Sequence, residues 1–122
     1  METTDWNHAT HIAKDELPPA ITTYLAAQHA RDLDVAMAYY TDTSTVIDDG
    51  RTYTGRREIR DWLAQSSSEY TYTIDLIAAA KIDDRRYDAV HHLEGDFPGG
   101  TVDLHFRFHL DNDKITTLVI EP

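Results

Sequence analysis

Two acidic residues, Asp48 and Asp49, close a short run that contains Val46 and Ile47 and stand directly before Gly50. A carboxylate placed there can remove a proton alpha to a carbonyl, provided it is within hydrogen-bond reach and partly desolvated, which brings its pKa toward the working pH. Side chains alternate along a strand, so Val46 and Asp48 share one face while Ile47 and Asp49 share the other. Only one aspartate can then face a core. Asp48 is the candidate general base, with a turn-capping role as its structural alternative, and Asp49 is the solvent-facing turn residue. Tyr24 is the candidate electrophilic donor, since a phenol can donate to an oxyanion and a buried tyrosine hydroxyl needs a partner in any case. His91 shares a strand face with Ala89 and Leu93, where it either looks into a cavity or is a hydrogen-bonded structural histidine.

Other chemistries find less support. The chain of 122 residues has no cysteine, which removes thiolate nucleophiles, disulfides and cysteine-ligated metals. His105 and His109 lie about 13 Å apart at ~3.3 Å per residue, too far to share one metal ion. His92 can sit opposite His105 across the Pro98-Gly99-Gly100 turn, but two histidines on an outer sheet face are a weak signal, and no metal is expected. The stretch from Thr52 to Arg57 lacks the spacing and lysine of a phosphate loop. A formal charge of −11 argues against nucleic acid and anionic membranes, which both need a basic surface. No apolar run reaches the ~18 residues of a membrane span. Met1 to Lys14 has neither the basic start nor the apolar middle of a signal peptide, so the expected location is cytoplasmic.

The elements that must hold these groups follow from periodicity. Residues 1–14 are polar apart from Trp6 and are expected to form an N-terminal extension to one domain, 15–122. Pro18-Pro19 suits the first turn of a helix in which Ile21, Tyr24, Leu25 and Gln28 recur at helical spacing, to about Arg31. Asp32 or Asp34 can cap a second helix that leads to Tyr40, and a strand is expected from near Ser44. Gly50 marks a turn into the short strand 51–53, and Gly55 precedes a helix with Ile59, Trp62 and Leu63 on one face. After Ser66-Ser67-Ser68 the pattern alternates, predicting strands at 70–81, 86–96, 101–111 and 114–121 joined by three hairpins. Helices followed by an antiparallel meander specify an α+β domain.

This order, with Tyr24 to Asp32, Tyr40-Thr41-Asp42, Val46-Ile47-Asp48, Tyr53 to Ile59 and Phe97 to Val102, resembles the nuclear transport factor 2-like (cystatin-like) superfamily, and its SnoaL-like members in particular, over about residues 16–121. The resemblance implies a cone-shaped fold with N-terminal helices on a strongly curved antiparallel sheet. Ketosteroid isomerases of that superfamily place three polar groups in an apolar cavity. Tyr24 matches their helix-one tyrosine and Asp48 their proton-shuttling aspartate, with the same spacing between the two. Their third group, an aspartic acid kept neutral, falls near Phe106, so the late acidic donor is missing. Scytalone dehydratase, on a related fold, pairs a histidine with an aspartate, which would cast His91 with Asp48.

Along 102–110, Val102, Leu104, Phe106, Phe108 and Leu110 form one strand face, and Asp103, His105, Arg107 and His109 the other. Leu104, Phe106, Phe108, Leu118 and Ile120, with Tyr40 and Trp62, are the expected cavity wall. The polar face, with His92 and Glu94, suits a homodimer interface, since relatives often pair through the sheet, or is simply solvated. Three functions remain open: a cofactor-independent isomerase, cyclase or lyase acting on a small apolar carbonyl compound; a binding module for such a ligand without chemistry; and a homodimeric interaction domain with no small-molecule site.

Overall fold

The computed structural model describes residues 5–66 and 71–122. Met1 to Thr4 of the extension, and the junction at 67–70 where helical pattern gives way to alternation, lie outside them. The elements run β1 (Thr10–Ile12), α1 (Pro19–His29), α2 (Leu33–Met37), β2 (Tyr40–Asp48), β3 (Arg51–Thr54), α3 (Gly55–Ser66), β4 (Tyr72–Asp83), β5 (Arg86–Gly95), β6 (Thr101–Asp111) and β7 (Lys114–Glu121). The seven strands form one sheet in the order β1-β4-β5-β6-β7-β2-β3. It is an α+β domain with the helices gathered on the inner face of a curved sheet.

Pro19 opens α1, where its missing N–H is no loss. The helix buries Ala20, Ile21, Tyr24 and Ala27, an i, i+1, i+4, i+7 stripe. It ends where Arg31 turns left-handed (φ 59°) and the Asp32 N–H reaches back to the Ala27 carbonyl at 2.9 Å, a Schellman closure made without glycine. Asp32 then caps α2 by accepting from the Val35 N–H. In α3, Ile59, Trp62 and Leu63 are buried, as their spacing predicts. The core beneath the helices is built on Ile21, Tyr24, Tyr40, Ile59, Phe108, Ile115 and Leu118.

Three features depart from the sequence reading. The sheet is mixed, because β2 lies parallel to β7 while every other pair is antiparallel. The connection from β2 to β7 runs through β3, α3 and β4–β6, far longer than the crossover that a parallel neighbour requires. Secondly, β2 begins at Tyr40 rather than near Ser44, with a register shift against β7 between Tyr40 and Thr45. Ser44 makes that irregularity tolerable: its buried hydroxyl donates to the Ile115 carbonyl at 2.6 Å and accepts from the Thr41 N–H at 2.8 Å, replacing ladder bonds that the bulge breaks. Thirdly, the described part of the extension is docked on the domain. Thr10–Ile12 pairs with β4 from Ala79 to Lys81, and Trp6 packs edge-on against His109 at 6.0 Å and under the Arg107 guanidinium at 5.5 Å.

Candidate functional site

Asp48 is the last residue of β2, opposite Arg51. Asp49 and Gly50, both at positive φ (52° and 75°), make the tight turn that returns the chain as β3. Within β2, Val46 is fully buried and Asp48, two residues on, is half-buried. The carboxylate Oδ2 accepts from the Trp62 indole N–H of α3 at 3.0 Å. A charged acceptor and a neutral donor make one of the stronger hydrogen bonds available, and it holds the carboxylate at a set orientation.

That carboxylate opens on a pocket of about 440 Å³. Trp62, Leu104, Phe106 and Ile120 line it, together with Gln28 of α1 and Phe97 of the β5–β6 loop. A second pocket of about 530 Å³ lies alongside, lined by His91, Leu25, Leu76 and the polar rim of Thr22, His29 and Arg31. Gln28, Tyr72, Ile74 and Phe106 line both, so the two spaces adjoin. Each space is large enough for a small organic ligand.

His91 is 5% exposed. Its Nδ1 lies 3.1 Å from the Ala89 carbonyl, and its ring is 4.3 Å from that of Phe106. Burial pulls its pKa down from 6.5 to about 4, with the bond to the Ala89 carbonyl pulling weakly the other way. The ring is therefore neutral near pH 7, with Nδ1–H donating to Ala89 and Nε2 left as an acceptor. It lines one pocket and Asp48 the other, and Phe106 lines both, so the structure does not bring His91 and Asp48 onto one pocket.

Tyr24 and Tyr40 stand in the core, the alternative to a site role for each. Both are buried in the core, and neither lines either pocket. Tyr40 donates its hydroxyl proton to the Tyr24 oxygen at 2.5 Å, with the rings edge to face at 5.3 Å, and Phe108 packs on Tyr24 at 6.0 Å. Burial pushes both phenols well above their usual pKa, offset in Tyr24 by the proton that Tyr40 donates. Phe108 and Leu118 are likewise fully buried and are core rather than pocket wall. The expected wall thus divides: Trp62, Leu104, Phe106 and Ile120 face the pockets, while Tyr40, Phe108 and Leu118 fill the interior. Gln28, Tyr72, Ile74 and Phe97 join the lining without having been singled out as site residues. Alternation along β4 and the α1 stripe carried the signal for three of them.

On the outer sheet face, His92 pairs with Asp103, and His105 with Val90, not His92 with His105. The Gly95 N–H bonds to the Gly100 carbonyl at 2.9 Å, closing the loop one step nearer β5 and shifting the register. His92 meets Asp103 at 2.6 Å, His105 meets the buried Asp88 at 2.6 Å, and Arg107 meets Glu121 at 3.2 Å. Among the described residues no three His, Asp or Glu side chains converge as a metal site would need, and no helix is long and apolar enough to cross a membrane.

A family described as the SnoaL-like domain matches residues 21–118. Among solved structures, a Sinorhizobium meliloti protein provisionally assigned as a polyketide cyclase superposes with a TM-score of 0.82 at 22% identity, over 90% of this chain and 100% of that one. A Catenulispora acidiphila protein with a ketosteroid isomerase-like fold, bound to trimethylamine, gives 0.73 at 18% identity, over 86% of this chain and 85% of that one. A Mycobacterium tuberculosis protein in complex with estradiol-17beta-hemisuccinate gives 0.70 at 14%, over 84% and 90%. None of the curated protein sequences matches significantly.

Proposed function

The chain belongs to the SnoaL-like domain family, within the nuclear transport factor 2-like superfamily, and from that premise we propose that it binds a small apolar carbonyl compound and moves a proton on it, with Asp48 as general base. The observation that carries the reading is the Asp48 carboxylate, oriented by the Trp62 N–H at 3.0 Å, on a pocket whose other walls are largely apolar. Apolar walls weaken the solvation of the carboxylate and hold a hydrophobic substrate against it. Isomerisation, cyclisation and elimination at such a compound all begin with the same step, removal of a proton alpha to the carbonyl. No cofactor is called for by that step.

The other assigned groups take supporting roles. His91, held neutral against Phe106, backs the apolar wall that the ligand meets. The Tyr24–Tyr40 hydrogen bond belongs to the core and touches neither pocket. The outer sheet face is the surface proposed for a homodimer, with the docked Trp6 covering its β6 end.

The test uses 2-tetralone, an apolar bicyclic ketone. Binding is followed by quenching of Trp62 fluorescence, with Trp6→Phe as the background to isolate that signal, and alpha-proton exchange into D₂O is followed by NMR. The wild type should bind and accelerate exchange, and Asp48→Asn should bind but not accelerate it. Binding with no acceleration in the wild type would make the domain a ligand carrier, and absence of binding by a panel of such ketones would remove the small-molecule reading.

A further inference from the structure

A base that removes an alpha proton leaves charge on the carbonyl oxygen, and some donor must meet it. Tyr24, the donor that the family resemblance suggests, is sealed in the core and off both pockets, and the resemblance gives no late acidic donor. Resting on the proposed role of Asp48, we infer that Gln28 is the residue that hydrogen-bonds the substrate carbonyl oxygen and stabilises the enolate.

Gln28 lies four residues beyond Tyr24 on α1, one turn along the same face, in the last turn of the helix. That displacement carries it out of the core and onto the wall shared by both pockets, including the one that holds Asp48. Its neighbours on the shared wall include Ile74 and Phe106, an apolar setting in which an amide N–H bond is stronger than in water. The amide is also unspent: its Oε1 is buried without a hydrogen-bond partner. A glutamine kept for structure would have that oxygen satisfied, because an unpaired buried acceptor costs about 1–3 kcal/mol. With no partner holding that oxygen, the amide is able to turn about its last torsion and present its N–H₂ to a ligand oxygen.

In the proposed step the Asp48 carboxylate takes the proton from the alpha carbon. The C–H electron pair forms the carbon–carbon double bond, the carbonyl pair moves onto oxygen, and the Gln28 N–H donates to that oxygen without giving up its proton. Reprotonation by the Asp48 carboxylic acid restores the base.

The experiment measures alpha-deuterium exchange into 2-tetralone at saturating ketone, with affinity read separately from Trp62 quenching, in full-length wild type, Gln28→Leu, Gln28→Glu, Tyr24→Phe and Asp48→Asn. Gln28→Leu removes an unpaired buried oxygen and should fold at least as stably as wild type, by thermal melt. The expected result is a roughly hundredfold slower exchange in both Gln28 variants at saturation, 2-tetralone affinity retained in Gln28→Leu, and wild-type exchange in Tyr24→Phe. Wild-type exchange at saturation in Gln28→Leu, or a loss confined to affinity, would overturn the inference while leaving Asp48 as base. A collapse in Tyr24→Phe alone would return the donor role to Tyr24. Exchange that survives Asp48→Asn would overturn the general-base reading itself, a pattern distinct from either.

Discussion

His91 ties stability to pH by an amount that can be worked out. Its pKa is lowered from 6.5 to about 4 in the folded protein, chiefly by burial. Between those values the unfolded chain binds a proton that the folded one refuses, so stability falls as pH falls. The full difference, at ~1.4 kcal/mol per tenfold in proton affinity, is about 3 kcal/mol, reached below pH 4. Summed over both titrations, about 2 kcal/mol of it is lost between pH 7.5 and pH 5. Urea unfolding of wild type and His91→Leu at those two pH values isolates the contribution. Leucine does not titrate, and other groups on the same pocket, His29 and Arg31, remain in both proteins, so their effects cancel to first order. The substitution also loses the bond to the Ala89 carbonyl, but that loss is the same at both pH values while the ring is neutral. Wild type should therefore lose about 2 kcal/mol more than His91→Leu between pH 7.5 and 5. A difference independent of pH would refute the reasoning, showing that the imidazole is reached by water and is not the neutral acceptor assigned to it.

The core pair offers a second check: Tyr40→Phe deletes the donor to Tyr24 and should cost about 1–3 kcal/mol in urea unfolding. The double variant Tyr24→Phe/Tyr40→Phe should cost less than the sum of the singles, since neither ring then carries a stranded hydroxyl. For the outer face, sedimentation velocity at micromolar concentration is expected to give a dimer of the 13.9 kDa chain. A monomer at all concentrations would set the homodimer aside.

Much of the domain was legible in the sequence because local chemistry and global fold agree there. The Asp49-Gly50 turn, the Ile59, Trp62 and Leu63 stripe and the alternation through β4 to β7 each answer to a period or a turn rule that one segment can satisfy by itself. Asp48 and the split of Val102–Leu110 into an apolar and a polar face follow from the same two-residue period. The parallel pairing of β2 with β7 was not legible, because it joins segments some seventy residues apart and no local pattern specifies a crossover. The bulge at Ser44 was hidden for a similar reason, since the carbonyl its hydroxyl satisfies belongs to Ile115. The division of the apolar residues between core and pocket was decided only in three dimensions. Tyr24 and Gln28 share one helical face and one periodicity, and what separates them is curvature: where the sheet closes on the helix, Tyr24 finds Tyr40 and Phe108, and one turn later it has drawn away far enough to leave Gln28 beside open space.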